Sequence, residues 1–223
     1  MIRCVVFDFD GTLVDSNRVK RDAFLAIADR YATGRETMTR IIDGPAAGTR
    51  EKVFETFAAE LGIGMDARAA AVSDLVRDYT DRCFGEIGRA AEIDGARATL
   101  DRLKRDGLRL FISSATPVGP LKDVVAARRL TPLMEGVFGA PDSKADHVEH
   151  IQKVTGLQTA EILYVGDSDA DSRAAAETGC RFAAVVLDGS RLRVRPEMYV
   201  TSLAQLPAII ETINATGDGG EGA

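Results

Sequence analysis

The sequence predicts an α/β fold: a doubly wound, Rossmann-like parallel sheet with a second, all-helical unit inserted near its start. Three observations carry that prediction. Short apolar runs alternate with helical patterns, glycines stand where helices should stop, and one long stretch between the first two apolar runs shows helical periodicity alone. Runs that are apolar throughout suit strands buried on both faces of a parallel sheet.

Taken in order, Arg3–Phe7 is the first predicted strand. From Ser16 to about Ala91 only helical patterns follow: Arg18–Tyr31, Glu36–Ile42, Thr49–Leu61 and Asp66–Phe84. Thr49 is a candidate N-cap, with Lys52 three residues on, so the capping box is incomplete. The turn-rich loop Asp43–Gly48 within this stretch is expected to be exposed. Residues 16–91 thus form a small helical domain inserted into a core made of residues 1–15 and 92–223. In that core Asp94 precedes a helix over Gly95–Arg105 that ends at Gly107. Further strands are expected at Leu108–Ile112, Val137–Phe138, Ile162–Val165, Phe182–Val186 and, weakly, Met198–Val200. Helices over Lys144–Thr155 and Ser172–Thr178 stop at Gly156 and Gly179, where a left-handed cap favours glycine. The glycine-rich end has nothing to bury and is expected to be a disordered tail from about residue 215.

Composition excludes several function classes. The 223 residues carry 28 Lys+Arg against 34 Asp+Glu, a net charge of −6 that argues against nucleic acid as a partner. No stretch approaches the roughly 18 apolar residues of a membrane span. The start, MIRCVVFDFD, lacks the features of a secretory signal. Cys4, Cys83 and Cys180 show no metal-ligand spacing and read as reduced, buried residues of a cytoplasmic protein.

The chemistry is concentrated in two acidic clusters at strand ends. Asp8-Phe-Asp-Gly-Thr follows the first strand directly. In extended chain, side chains two apart point the same way, so Asp8 and Asp10 project together, and Gly11 lets the chain turn sharply. The second cluster, Gly166-Asp-Ser-Asp-Ala-Asp171, follows the strand Ile162–Val165. It fails as an EF-hand loop because Ser172 and Thr178 stand where Gly and Glu are required. If both strands are central, Asp8, Asp10, Asp167 and Asp171 converge on one crevice. Four carboxylates there would repel one another unless a cation neutralised them, and an all-oxygen donor set points to Mg²⁺.

These motifs resemble those of the haloacid dehalogenase superfamily, over essentially all of the ordered chain. Asp8-Phe-Asp-Gly-Thr matches the DxDGT nucleophile motif, Phe111-Ile-Ser-Ser114 the second, Lys144 the third, and Gly166–Asp171 the GDxxxD form of the fourth. The helical insert resembles the cap of the phosphoglycolate phosphatase and β-phosphoglucomutase branch. The resemblance implies a Mg²⁺-dependent phosphatase of a small phosphorylated metabolite, with Asp8 as nucleophile and Asp10 as general acid and base. It also implies metal ligation by Asp8, the Asp10 carbonyl and Asp167, with Asp171 bracing them, and charge neutralisation by Lys144. One serine would bind the phosphoryl group. Ser113 is preferred over Ser114 because it directly follows the apolar run, and a turn or capping role is its alternative. A β-phosphoglucomutase-like phosphotransferase is the competing enzyme reading, and a catalytically silent phosphate-binding protein the competing non-enzyme one. Asp10 disfavours a dehalogenase, whose motif lacks the second aspartate.

Other signals are read as structural. His147 and His150 lie three apart in a helix and are read as a surface pair, which leaves Ser113 and Ser114 without a histidine base. Arg191, Arg193 and Arg195 mark a solvated face. Arg50, beside Gly48 and Thr49, can grip a substrate anion, with ordinary surface charge as the alternative.

Overall fold

The computed structural model of the chain describes residues 1–44, 48–187, 192 and 198–217. One strand, β1 (Cys4–Phe7), precedes four helices, α1 (Asn17–Ala28), α2 (Gly34–Asp43), α3 (Arg50–Glu60) and α4 (Met65–Arg89). The chain continues through α5 (Ala96–Arg105), β2 (Arg109–Pro117), α6 (Val118–Ala127), β3 (Gly136–Ala140) and α7 (Lys144–Thr155). It ends with β4 (Ile162–Gly166), α8 (Asp169–Thr178), β5 (Arg181–Val185), β6 (Tyr199–Val200) and α9 (Leu206–Gly217). Contacts divide the chain into two compact units, residues 1–15 with 91–223, and Ser16–Ala90.

In the first unit all strand pairs are parallel and the order is β3-β2-β1-β4-β5-β6. The path runs from β1 outward to β3, then returns to place β4 on the other side of β1. That reversal opens a crevice at the carboxyl ends of β1 and β4, the place where open α/β sheets bind ligands. Register makes the core legible. Val6 lies level with Phe111 on one side and Tyr164 on the other, and α7 and α8 cover this face with Val148, Ile151 and Ala175. Cys4, Cys83 and Cys180 are buried and form no disulfide, and burial pushes the Cys4 thiol up to about 12. No described helix is long and apolar enough to cross a membrane.

All six expected strands are present, and Gly107, Gly156 and Gly179 adopt positive φ of 82°, 72° and 73° at helix ends. The differences lie where local signals conflict. Strand β2 runs five residues beyond Ile112, because its end pairs with β3 through a register shift that polar Ser113, Ser114 and Thr116 conceal in the sequence. Helix α6 was hidden by Gly119 and Pro120, which stand in its first turn, where proline's missing N–H costs nothing. Helix α8 starts at Asp169 rather than Ser172, since acids at a helix start favour the dipole. Helix α9 reaches Gly217, so residues 215–217 are helical rather than tail, and Thr216 Oγ1 donates to the Thr212 carbonyl at 3.0 Å. Residues 45–47 of the Asp43–Gly48 loop, Arg191, Arg193, Arg195 and residues 218–223 lie outside the described residues.

The second unit is a bundle of α1–α4 built around aromatic rings. The Phe24 ring lies 5.2 Å from that of Phe54 and 4.2 Å from that of Tyr79, while Tyr31 meets Phe57 edge-on at 5.6 Å. Thr49 caps α3 by accepting the Lys52 N–H. Phe54 has no exposed surface and touches both Phe24 and Tyr79. Phe54→Ala is therefore expected to cost about 3–5 kcal/mol of this unit's stability, against a few tenths for the exposed Arg77→Ala. Urea unfolding followed by circular dichroism reads the difference. Equal midpoints for the two variants would contradict an aromatic core.

Candidate active site

The first acidic cluster leaves β1 as the sheet register directs. Phe7 is level with Ile112 of β2 and Val165 of β4, and the Asp8 N–H still donates to the Val165 carbonyl at 2.8 Å. Asp8 is thus the last residue held by the ladder. Gly11, at φ 81°, then turns the chain so that Leu13 and Val14 donate back to the Phe9 carbonyl. Asp8, Asp10, Asp167 and Asp171 are all buried. Carboxylate oxygens of Asp8, Asp167 and Asp171 lie within 4.8 Å of one another.

Lys144 stands at the first position of α7, which Ser143 and Asp146 cap reciprocally at 3.1 and 2.8 Å. Its ammonium is 2.8 Å from Asp8 Oδ1 and 2.5 Å from Asp171 Oδ1, with only 11% of the side chain exposed. Burial opposes that charge, but Asp8 and Asp171 outweigh it and hold the ammonium well above the usual lysine range. Asp171 is fully buried against Gly166: a Cβ at Gly166 would stand 2.3 Å from the Asp171 Cγ. Its second oxygen accepts from the Ser168 N–H at 3.1 Å and the Ser168 hydroxyl at 2.5 Å. With both oxygens so engaged, Asp171 is a brace for Lys144 before it is anything else.

The electrostatics follow from this crowding. Burial raises the Asp8 carboxyl well above the ordinary carboxylate range; Lys144 pulls it down, and Asp171, Asp167 and Asp10 push it up. One lysine does not balance four buried carboxylates. The oxygen-only donor set and the excess negative charge fit a hard divalent cation beside Asp8 and Asp167, which would favour the ionised form of Asp8.

The two serines separate, because neighbouring residues on a strand project to opposite faces. Ser114 Oγ donates to Asp10 Oδ2 at 3.3 Å, and Thr116 Oγ1 donates to the same oxygen at 3.0 Å. Ser113 instead turns into the core, where its hydroxyl meets His147 Nδ1 at 2.9 Å and accepts from the Tyr164 hydroxyl at 3.1 Å. Of the two serines, Ser114 faces Asp10, whereas Ser113, the one preferred from the sequence, does not. The surface reading of His147 is also corrected: it is 2% exposed, stacked on Phe138, and is the histidine that Ser113 was expected to lack. Ser113 has no exposed surface and its hydroxyl is engaged by Tyr164 and His147, so it is not presented as a nucleophile. Thr116 and Tyr164 were not singled out in the sequence; continuing the period of β2 past Ile112 was the signal that pointed to Thr116.

Arg50 belongs to the helical unit. There its guanidinium donates to Thr80 Oγ1 at 3.2 Å and lies 3.6 Å from Glu51.

Comparison with known proteins identifies the family. Residues 5–185 match the haloacid dehalogenase-like hydrolase family. The chain is 31% identical to phosphoglycolate phosphatase 1 of Pseudomonas aeruginosa over 195 residues, 82% of this chain and 69% of that protein. It is 27% identical to a phosphoglycolate phosphatase of Cereibacter sphaeroides over 183 residues, 80% of this chain and 83% of that one. Among solved structures, a haloacid dehalogenase-like family hydrolase of Streptococcus pneumoniae superposes with a TM-score of 0.68 at 19% identity, covering 94% of this chain and 98% of that one, which is a likeness of fold.

The buried imidazole makes stability depend on pH. Burial lowers the His147 pKa below its ordinary 6.5, against an opposing pull from the Gly139 backbone. The folded chain then resists a proton that the unfolded chain takes up, so this contribution is present above about pH 6.5 and is lost as pH falls. Urea unfolding of wild type and His147→Gln at about pH 8 and about pH 5.5 isolates it. The wild-type advantage is expected to shrink at the lower pH, and a gap that stays constant or widens would contradict a neutral buried His147.

Proposed function

The chain belongs to the haloacid dehalogenase-like hydrolase family, and from that premise we propose that it is a Mg²⁺-dependent phosphatase of a small phosphorylated metabolite. The single observation that carries this reading is Lys144 clamped between Asp8 and Asp171 at the switch point of the sheet. It gives one carboxylate a cation on one side and, with Asp167, room for a second cation on the other. Positive charge on both flanks is what a phosphoryl group needs while its bonds loosen.

Asp8 is the proposed nucleophile. One of its oxygens bonds to phosphorus as the bond to the leaving oxygen breaks, and Asp10 passes a proton to that oxygen. Asp10 then takes a proton from water, whose oxygen displaces Asp8 from phosphorus and releases inorganic phosphate. Ser114, rather than Ser113, is assigned to the phosphoryl oxygens, supported by its place on the Asp10 side of β2. Asp8, Asp167 and the Asp10 carbonyl would hold Mg²⁺, which when bound supplies charge neutralisation for the phosphoryl oxygens. Relatives named phosphoglycolate phosphatase favour a short phosphate ester that also carries a carboxylate. Water is the proposed acceptor. A mutase needs a second anion site, and Arg50, the arginine considered for it, is engaged with Thr80 and Glu51.

Release of inorganic phosphate across a panel of small phosphate esters, with Mg²⁺ and with chelator, tests the reading. Chelator is expected to abolish release, and Asp8→Asn to lower kcat by about three orders of magnitude or more with an unchanged melting transition. Appreciable turnover in folded Asp8→Asn would exclude the aspartyl-phosphate route. Phosphoryl transfer to a sugar phosphate outrunning hydrolysis would replace the phosphatase by a phosphotransferase.

A further inference from the structure

Asp10 is held by two hydroxyls on the same oxygen, and the two are not equivalent. Ser114 Oγ accepts the Thr116 N–H at 3.0 Å and donates to Asp10 Oδ2 at 3.3 Å, while Thr116 Oγ1 donates to that oxygen at the shorter 3.0 Å. A hydroxyl has one proton to give. If Ser114 turns that proton toward a phosphoryl oxygen, as the phosphatase reading assigns, its bond to Asp10 is given up, and of these two hydroxyls Thr116 is the one that keeps hold of Oδ2.

The backbone supports a fixed Thr116. Gly139 of β3 packs against it so closely that a Cβ there would lie 2.4 Å from the Thr116 carbonyl oxygen, and Pro117 follows with φ −53°. In the stretch Ser113–Pro117, where β2 shifts register against β3, Ser114 and Thr116 both reach Asp10 Oδ2.

We propose that Thr116 is a positioning residue for the general acid: its hydroxyl holds Asp10 Oδ2 throughout the first half-reaction and so sets the orientation in which Asp10 meets the leaving oxygen. The proposal rests on the phosphatase reading and deepens it. Its signature is dependence on the leaving group. An alkoxide needs the proton from Asp10 as its bond to phosphorus breaks, whereas p-nitrophenolate departs with little help. A loss of acid positioning therefore grows with the leaving group's pKa, while a loosened fold or weaker phosphate binding lowers all esters alike.

The test is kcat/KM, which reports the first half-reaction, for alkyl, phenyl and p-nitrophenyl phosphates. Thr116→Val keeps the shape and removes the donor, and is expected to lose about tenfold to a hundredfold on the alkyl ester and at most about twofold on p-nitrophenyl phosphate. Thr116→Ala should behave alike, and Thr116→Ser, which keeps the hydroxyl, should restore the alkyl rate to within about threefold. Asp10→Asn should show the same leaving-group pattern, with little further loss when Thr116→Val is added to it. Equal losses on all three esters, an alkyl rate that Thr116→Ser leaves unrestored, or additive losses with Asp10→Asn would overturn the proposal while wild-type hydrolysis stands. A wild-type enzyme that releases phosphate from none of the esters would overturn the phosphatase reading and this one with it.

Discussion

Everything at the strand ends depends on one buried ammonium. Asp8, Asp10, Asp167 and Asp171 are gathered where water cannot screen them, and Lys144 is the side chain that reaches two of the four. Removing one partner of such a pair leaves a buried charge uncompensated, which costs more than the pair itself contributes. The arrangement is therefore all or nothing, and it explains the attention given to Lys144's own position. Ser143 and Asp146 cap its helix, Asp171 takes its second hydrogen bond, and Ser168 in turn holds Asp171. A cation beside Asp8 and Asp167 would complete the balance that Lys144 begins.

The sheet supplies the precision. Parallel register places the last apolar residues of β1, β2 and β4 level with one another, so the polar residues that follow emerge at one height. Two glycines let backbone and side chain approach where a methyl group would intrude, Gly166 under Asp171 and Gly139 beside the Thr116 carbonyl. Behind the acidic layer lies a second polar one. His147, one turn along α7 from Lys144, is linked through Ser113 to Tyr164, so three elements that carry site residues are tied together in the core. Satisfied polar groups of this kind hold a core in one arrangement.

Much of this was legible in the sequence because its signals are local. Short apolar runs, the glycines at helix ends and the absence of strand patterns over residues 16–91 determined a doubly wound sheet with a helical insert. Asp8 and Asp10, two apart after a strand, determined a paired carboxylate site, and Asp167 and Asp171 a second one. The roles proposed for these residues and for Lys144 come from the family resemblance.

Tertiary structure decided what depends on partners far away in the chain. The choice between Ser113 and Ser114 turns on which face of β2 meets α7, and that is set by pairing between strands more than a hundred residues apart. His147 reads as a surface residue in a helix until Phe138 and Ser113 close over it. Thr116 meets Asp10 in the stretch where β2 shifts register against β3, a displacement that inter-strand hydrogen bonds impose. Residue types and their spacing determined which carboxylates gather at the strand ends; the pleat and register of the sheet decided which hydroxyls face Asp10, because a side chain's direction on a strand alternates with every residue.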